Sequence, residues 1–308
     1  MTQPLQANLV NLAMAPAQAV VDPDMINFVE LAAVRAIVDR CMDNPTVVQH
    51  FCEQYRDWIT SSKINTVRGL EQFSTLAYSN GTSESFDKFY LQHRSRRFRC
   101  FRGEYLYHSL AWHTHGFAWQ YLDDAPLAVN DAVVISLPFA DTGEPHNDYS
   151  SMLLDRCHEL GIPVLIDCAF FGICGSVSFD FDHPAITAIC FSLSKTAPVS
   201  LHRIGLRCSR PGFDDSLQVH HRAQYVNKLG AAVGLSILNQ LDPDSNFVTW
   251  RQRQLDFCIQ MRLVPSNTVI FGIDTQHLYD QYNRGSVDTN RICFSKYLYH
   301  GKLPAQAQ

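Results

Sequence analysis

The sequence predicts an α/β fold built around a mostly parallel sheet. Short apolar runs such as Val164–Ile166 and Ala188–Phe191 are typical of strands that are buried on both faces of a parallel sheet. The carboxyl ends of parallel strands meet at one edge of the sheet, where ligands bind, so polar residues at these ends are expected to share one crevice. The residues that directly follow the two runs are polar, with Asp167 after the first and Ser192, Ser194 and Lys195 at the end of the second.

Composition and charge are those of an ordinary globular chain. The 308 residues are 46% hydrophobic and 18% charged, which is enough for a sizeable core in one large or two modest domains. A formal net charge of −5 gives no general electrostatic basis for binding nucleic acid. The ten cysteines show no CxxC pair and no zinc-finger spacing, which favours reduced, buried thiols and a cytoplasmic location. The early apolar run Leu9–Val21 is broken by Pro16 and follows no basic segment, so neither a leader peptide nor a membrane association is expected.

The first 60 residues predict two structural helices. Residues 1–22 are rich in Ala, Gln and Pro and are expected to lie on the surface or against a partner subunit. From Asp24 to Val38 the apolar residues recur at helical spacing, and Asp22 or Asp24 can cap this helix. A second helix is predicted over Pro45–Thr60.

A turn that opens a helix is predicted at Asn80-Gly81-Thr82-Ser83-Glu84. Gly81 permits a tight turn, and the amides that follow it would be unpaired donors at a helix N-terminus, which is a ready anion site. The alternative is an ordinary N-cap made by the side chain of Thr82 or Ser83. The residues alone leave both interpretations open.

The middle of the chain carries mostly structural signals. The basic run His93–Arg99 is interpreted as a solvated face, with a patch that attracts an anionic substrate as the alternative. Residues 98–108 have the pattern of a strand, and His113 and His115 lack a third nearby ligand, so no metal site is predicted. Further elements are predicted as a buried strand over Val133–Leu137, a helix over Tyr149–Leu160 capped by Asn147 or Asp148, and one or two helices over Asp215–Leu241.

Taken together, these segments resemble the core of the fold-type I pyridoxal-phosphate (PLP) enzymes, and above all the aspartate-aminotransferase-like class I/II group. The resemblance rests on Asp-x-Ala-Phe after a V-L-I strand, on Ser-Leu-Ser-Lys, and on an arginine eight residues past that lysine. It implies a seven-stranded type of sheet flanked by helices, with a small C-terminal domain. It also implies that Lys195 is the Schiff-base lysine and that Asp167 is the partner of the pyridine nitrogen. The cofactor ligands implied in addition are Thr82, Ser83, Glu84, Tyr105, Ser192, Ser194 and Arg203.

These residue types suit the chemistry of PLP. An amine must lose its proton to form an imine, and a carboxylate keeps the pyridine nitrogen protonated so that the ring can accept electrons. An arginine fork holds a dianionic phosphate. Tyr105 stands where the family has the aromatic residue that stacks on the ring, although an aromatic residue in such a stretch can equally belong to the core.

Three positions depart from the family pattern. Aligning Thr142-Gly143 with the family's N-P-x-N-P-T-G segment puts Ala140 at an asparagine that usually donates to the cofactor's phenolic oxygen. Phe170 replaces a tyrosine that usually donates to the same oxygen, and Ile64 replaces a tyrosine that reaches the partner subunit's phosphate. Without these donors the phenolic oxygen is expected to be a stronger base.

The C-terminal third is expected to form a linking helix and the small domain. The segment Thr289–Cys293 is similar to the family's G-R-I-N segment, which implies that Arg291 binds the α-carboxylate of the substrate. The predicted domains are an N-terminal helical segment that packs on the small domain (1–60), the PLP-binding large domain (61–212), and the linking helix with the small domain (213–308). The resemblance also implies a homodimer.

The resulting functional prediction is a PLP-dependent enzyme that acts on an amino acid through Lys195. An aminotransferase is the first choice, and a PLP-dependent lyase, cyclase or decarboxylase is the second. A third alternative is a non-catalytic binding protein that has kept the fold, although the intact Lys195 argues against it. The side chain of the substrate is not specified by the sequence.

Overall fold

The computed structural model describes residues 17–212, 214–280 and 290–301. Its strands are β1 (Thr66–Arg68), β2 (Thr75–Ser79), β3 (Arg97–Cys100), β4 (Trp119–Tyr121), β5 (Asp131–Ser136), β6 (Val164–Cys168), β7 (Ser178–Asp180), β8 (Ile186–Ser192), β9 (Gly205–Ser209), β10 (Val264–Pro265), β11 (Phe271–Asp274) and β12 (Asn290–Cys293). Its α-helices are α1 (Pro23–Val38), α2 (Val47–Thr60), α3 (Gly81–Gln92), α4 (Tyr107–His115), α5 (Ser151–Glu159), α6 (Ser216–Arg222), α7 (Lys228–Gln240) and α8 (Ser245–Met261).

A seven-stranded sheet with the order β2-β9-β8-β6-β5-β3-β4 forms the centre of the fold. The strands from β8 through β6, β5 and β3 to β4 pair in parallel, whereas β9 runs antiparallel to both of its neighbours. The predicted α/β class and the mostly parallel seven-stranded sheet are therefore confirmed.

Both faces of this sheet are buried, which explains the continuous apolar runs in its strands. In β5, Val133 and Ile135 belong to one core cluster and Ala132 and Val134 to another, as expected when successive side chains point to opposite faces. Helices α1, α2 and α7 supply the first cluster, and α3 and α4 supply the second.

The first two helices pack on α7 and on the large sheet. Asp22 caps α1, and its Oδ1 accepts from the amide of Asp24 at 3.0 Å. The residues that α1 buries are Val29, Ala32 and Ala36, whereas Val34 and several other apolar residues of the predicted periodic pattern are exposed. None of the described helices is long and apolar enough to span a membrane.

A smaller unit follows, in which α8 packs on the antiparallel sheet β10-β11-β12. Val20, which precedes α1, is buried in the same cluster, and the amide of Val21 donates to the carbonyl of Ser295 at 3.3 Å. The N-terminal segment therefore reaches the small unit through residues 17–21, while its helices pack on the large sheet. The three domain boundaries stay a prediction.

Two predicted elements differ from the structure. The strand predicted over residues 98–108 ends at Cys100, because the chain then turns through Gly103 and begins α4 at Tyr107. The helix predicted from Tyr149 begins at Ser151, because Ser150 caps it and its Oγ accepts from the amide of Leu153 at 3.4 Å.

Candidate active site

A cavity of about 560 Å³ lies at the carboxyl ends of β5, β6 and β8. Short segments that follow other elements, among them the turn into α3 and the loop after β3, complete its wall. Nine of the ten predicted site residues line it, namely Thr82, Ser83, Tyr105, Asp167, Ser192, Ser194, Lys195, Arg203 and Arg291. The sheet thus brings together side chains that are far apart in the sequence.

Asp167 lies near the end of β6 and is only 4% exposed. Its Oδ1 accepts from the backbone amide of Ala169 at 3.0 Å, and the Cys190 thiol lies 3.9 Å from the same oxygen. Burial raises the pKa of this carboxyl to about 7, although the Ala169 amide and the charge of Lys195 favour its ionised form. The group is therefore poised for a cationic or proton-donating partner.

Lys195 lies in the turn after β8, with its amine in the cavity. Burial lowers the pKa of this amine, while the charge of Asp167 opposes that shift. The Nζ atom donates a hydrogen bond to the carbonyl of Ala17. Ala17 itself lines the cavity, so the prediction that residues 1–22 lie on the surface or on a partner is wrong at this position, and residues 1–16 of that segment lie outside the described residues.

The turn into α3 forms a concave cradle closed by Arg203. Gly81 has a φ of +72°, and a Cβ at this position would collide with the Arg203 guanidinium. The Nη2 of Arg203 donates to the carbonyl of Asn80 at 3.0 Å and to the Oγ of Ser83 at 3.4 Å. The backbone of Arg203 is left-handed, with a φ of 57°, and Tyr78 donates to its carbonyl at 2.8 Å. An arginine head is thus held over a helix N-terminus, which is an arrangement suited to an anion.

Two serines form the floor beside this cradle. The Oγ atoms of Ser192 and Ser194 are 2.9 Å apart, and the amide of Ser194 donates to the Oγ of Ser192 at 3.2 Å. Both residues are buried and line the cavity. They offer hydroxyl groups to the same anion.

Glu84 is the one predicted cofactor ligand that does not line the cavity, and the part predicted for its backbone amide stays a prediction. Its Oε2 accepts from the backbone amide of Asn80 at 2.7 Å and from the Asn80 side chain at 2.9 Å. The carboxylate therefore caps the start of α3 rather than facing a ligand. Since Asn80 is the N-cap residue, the alternative of an N-cap made by Thr82 or Ser83 is also wrong.

Tyr105 and its neighbours form an aromatic wall. Tyr105 lines the cavity with 49% of its surface exposed and stacks on Tyr107 at 6.0 Å between ring centroids. His108 is buried below it, and the hydroxyl of Tyr90 lies 2.5 Å from its Nδ1. Burial lowers the pKa of His108 to about 3, so this ring is neutral.

Arg291 reaches the cavity from β12 of the small unit. Its Nη1 donates to the carbonyl of Ala140 at 2.9 Å, and its guanidinium lies 4.5 Å from the ring centroid of Phe271. Thr289 of the predicted motif lies outside the described residues. Ala140 and Phe170 also line the cavity, so the positions predicted to lack a donor do present apolar surface there.

Glu104 is a site residue that sequence reasoning missed. It lines the cavity, and its carboxyl binds both polar groups of Ser136, the last residue of β5. The one sequence signal was its position next to Tyr105, in a stretch interpreted as a strand. No group of three or more His, Cys, Asp or Glu residues within the described ranges is placed to hold a metal ion.

Comparisons with known proteins give a consistent fold. No protein-family model and no curated protein matches this sequence. A tetra mutant of the Thermus thermophilus aspartate aminotransferase superposes with a TM-score of 0.69 at 13% identity, over 98% of this chain and 96% of that chain. The PLP-bound C-S lyase from Staphylococcus hominis gives a TM-score of 0.67 at 10% identity, over 96% and 90%. The tyrosine aminotransferase from Leishmania infantum gives 0.64 at 13% identity, over 97% and 95%.

Identities this low show the fold alone. The chain has the fold of the aspartate-aminotransferase-like, fold-type I group, as its motifs predicted.

Proposed function

We propose that this chain is a PLP-dependent enzyme that acts on an amino acid, with amino-group transfer as its reaction. The observation that carries the proposal is the meeting, in one cavity, of a buried carboxyl, a lysine amine of lowered pKa and an anion cradle. Each of these is common alone, but three segments of the chain supply them to one site. The fold shared with aminotransferases and a C-S lyase adds support.

The residues present fit PLP. Because Gly81 has no Cβ, the Arg203 guanidinium packs directly against the turn into α3, and the serine hydroxyls line the same cavity. These groups would hold the phosphate, since a dianion favours a helix N-terminus and a guanidinium fork. The phosphate ligands in this proposal are Thr82, Ser83, Ser192, Ser194 and Arg203.

Asp167 would hold a proton on the ring nitrogen. Its pKa of about 7 describes a buried carboxyl without a cationic ligand, and a pyridinium beside it would favour the ionised carboxylate. The cofactor, when bound, supplies an aldehyde that can link to amines and a ring that accepts electrons as the α-proton leaves. The role of Asp167 is to keep the ring nitrogen charged during this step.

Lys195 would hold the cofactor and then move the α-proton. Desolvation lowers the pKa of its Nζ, so the neutral and nucleophilic amine forms at a lower pH than in water. Once an amino acid displaces it, the same neutral amine can accept the α-proton as a general base. Tyr105 would cover one side of the ring.

Arg291 would orient the substrate by its α-carboxylate. It is 6% exposed and anchored through Nη1 to the Ala140 carbonyl, so little side-chain entropy would be lost on binding. Arg291 and Lys195 line the same cavity, and the charge of Arg291 adds to the lowering of the Lys195 pKa that burial mainly causes.

A lyase, cyclase or decarboxylase reaction is the second candidate. The observation that favours it is the apolar wall formed by Ala140 and Phe170, which leaves the ring's phenolic oxygen without the two expected side-chain donors. A more basic oxygen changes the protonation of the cofactor and hence the bond that is broken most easily.

We also propose a homodimer in the cytoplasm as the working form. Tyr105, Leu106 and Leu110 expose about half of their apolar surface beside the cavity, and such a patch suits a subunit contact.

The test is to add PLP to the purified protein, reduce it with borohydride, and map the modified peptide by mass spectrometry. We expect the label on Lys195, its loss in Lys195→Ala, and its retention in Lys296→Ala, because Lys296 is exposed. Equal labelling of wild type and Lys195→Ala would contradict the proposal, as would the absence of bound PLP.

The reaction type is tested by screening amino acids with the PLP-loaded protein. Stoichiometric formation of pyridoxamine 5′-phosphate together with a keto acid supports amino-group transfer. Release of a cleaved, cyclised or decarboxylated product with the cofactor unchanged supports the second candidate instead.

A further inference from the structure

Glu104 and Ser136 form a second polar centre in the cavity, beside Asp167. The backbone amide of Ser136 donates to the Oε1 of Glu104 at 2.8 Å, and the Oγ of Ser136 lies 2.5 Å from the Oε2. Ser136 pairs in register with Asp167 across β5 and β6. The edge of the sheet therefore presents two carboxyl groups, that of Asp167 on β6 and that of Glu104 from the loop after β3, which Ser136 of β5 binds.

The location of Glu104 and the charges around it favour the protonated form of its carboxyl. Its carboxyl lies between the loop after β3 and the end of β5, and the titratable groups that interact with it electrostatically include Asp167 on β6 and the Cys100 thiol on β3. Burial is the main cause that raises the pKa of Glu104 to about 8, with the charge of Asp167 adding to it, although the Ser136 contacts oppose the shift. Burial likewise keeps the Cys100 thiol neutral by raising its pKa. The cations around the same cavity are Lys195, Arg102, Arg203 and Arg291, and its remaining carboxyl is Asp141.

The charge of Glu104 decides what the hydroxyl of Ser136 can do. Because the Ser136 amide must donate to Oε1, a proton on the carboxyl lies on Oε2 and points to the Oγ of Ser136. The serine hydroxyl is then free to donate its own hydrogen into the cavity. When Glu104 is ionised, the hydroxyl must donate to Oε2 instead and offers only lone pairs to a ligand.

The wall next to this hydroxyl has few other donors. Along the stretch from Ser136 to Ala140, the side chains that line the cavity are those of Ser136, Pro138 and Ala140, and only the serine can donate a hydrogen bond. Phe170 adds a further apolar group. Within this stretch, Ser136 is therefore the side chain that can donate to an anionic oxygen of a ligand, whereas Arg291, which contacts the Ala140 carbonyl, is the proposed ligand of the substrate carboxylate.

We propose that Glu104 is a positioning residue whose proton makes Ser136 a hydrogen-bond donor to an anionic oxygen of the bound ligand. This inference rests on the proposed function, under which the oxygen is the phenolic oxygen of the pyridoxal ring. The pair takes the place that Ala140 and Phe170 leave without donors. Glu104 acts through Ser136 and does not itself touch the ligand.

The test uses 4′-deoxypyridoxine 5′-phosphate, which carries the phenolic oxygen and the phosphate but no aldehyde that could react with Lys195. Its affinity is measured by calorimetry across the pH range for wild type, Glu104→Gln and Ser136→Ala. We expect the wild-type affinity to fall, relative to Glu104→Gln, as the pH rises through the Glu104 pKa of about 8, and the difference to level off near the roughly tenfold loss that removal of the donor causes. The glutamine amide remains a donor to the Ser136 Oγ at every pH, so the two proteins should bind equally at lower pH.

Ser136→Ala should bind about tenfold more weakly than Glu104→Gln at every pH, because the donor itself is lost. Ionisation of the probe affects all three proteins alike, so it cancels in the comparison. Superimposable pH profiles for wild type and Glu104→Gln would overturn the role of the pair and leave the proposed function standing. Absence of binding to wild type would overturn the proposed function and this inference with it.

An infrared titration of the ligand-free protein provides a readout without cofactor. We expect a carbonyl band of a protonated carboxylic acid that persists to about pH 8 and is lost in Glu104→Gln. A band that persists equally in Glu104→Gln and is lost in Asp167→Asn would assign the proton to Asp167 and contradict the inference. Thermal unfolding of each variant checks that the fold is retained.

Discussion

Carboxyl groups at the two ends of strand β5 have opposite environments, and their pKa values are shifted in opposite directions. At its first residue, Asp131 binds the Nε of Arg97 at 2.7 Å and the Nη1 of Arg99 at 2.6 Å. Burial alone would raise the pKa of Asp131, but the hydrogen bonds from these arginines and from the Ala128 amide outweigh it and hold the pKa below its usual value. This carboxylate is satisfied within the protein.

At the other end of the strand, Glu104 and Asp167 are left without an arginine contact among the described residues. Their pKa values are raised by burial to about 8 and about 7. A chain gains no stability from carboxyl groups arranged in this way, so the arrangement makes sense for a site that a ligand completes. The contrast separates a structural charge cluster from a candidate active site within one strand.

The largest effect on stability is expected from a substitution of Asp131, at the start of β5. Asp131→Asn would leave the fully buried guanidinium of Arg99 without its charged partner, and should lower the free energy of unfolding by about 3–5 kcal/mol. Urea unfolding measures this change. Asp57→Asn is the control, because it removes an exposed ion pair with Arg56 and should cost less than about 1 kcal/mol. Similar losses in both variants would remove the distinction between the two kinds of charge.

A smaller effect, on binding rather than folding, is expected from the cradle. Arg203→Gln should weaken the binding of PLP roughly tenfold to a hundredfold, because a charge-assisted contact to phosphate contributes about 1.5–3 kcal/mol. Equilibrium dialysis or fluorescence titration measures it. Arg210→Gln serves as the matched control, since Arg210 binds the Ile186 and His183 carbonyls at the opposite end of the sheet. If both variants bound PLP like wild type, Arg203 would have no part in holding phosphate.

The smallest effect for a single measured step is the change in stability over one pH unit. The folded pKa of Glu104 lies above its ordinary value of 4.5, so the folded state binds more protons between pH 4.5 and about 8, and stability falls as pH rises through this window. The slope is at most about 1.4 kcal/mol per pH unit for one group. Glu104→Gln should flatten it in urea unfolding at a series of pH values.

Asp131 should show the opposite sign. Its folded pKa lies below the ordinary value of 3.8, so the stability that it contributes is present above that value and is lost as pH falls further. For the Glu104 prediction, a loss of stability between pH 4.5 and about 8 that is the same in wild type and in Glu104→Gln would show that Glu104 is not a buried acid.

Much of the site follows from local sequence patterns. Apolar runs that end in polar residues gave the sheet edge, and the glycine turn before α3 gave the cradle, because both depend on residues close together in the chain. Glu104 could not be found in this way. Its burial depends on contact with Ser136, 32 residues further along, and an acidic residue in a polar and aromatic stretch otherwise indicates an exposed position.

Other features of the structure also depend on contacts between residues far apart in the sequence, which local patterns do not reveal. Asp131 and Arg99 lie 32 residues apart, and their pairing depends on the order in which β3 and β5 enter the sheet. The contact of the Ala17 carbonyl with the Lys195 amine spans 178 residues. Glu84 follows the predicted turn, but its side chain accepts from the Asn80 amide. An acidic residue at this position can either cap the helix or face a ligand, and the residue type alone does not distinguish the two.

The most direct test of the central claim is to compare ligand-free and PLP-loaded unfolding of Asp167→Asn with wild type at about pH 8. If Glu104 and Asp167, at the C-terminal ends of the parallel strands, belong to a ligand site, the ligand-free variant should be as stable as wild type or more stable. The reason is that the substitution removes a buried ionised group. The added stability on PLP binding should be largely lost. A ligand-free loss of several kcal/mol, as expected for Asp131→Asn, would show that both ends of the sheet are structural and would contradict the account.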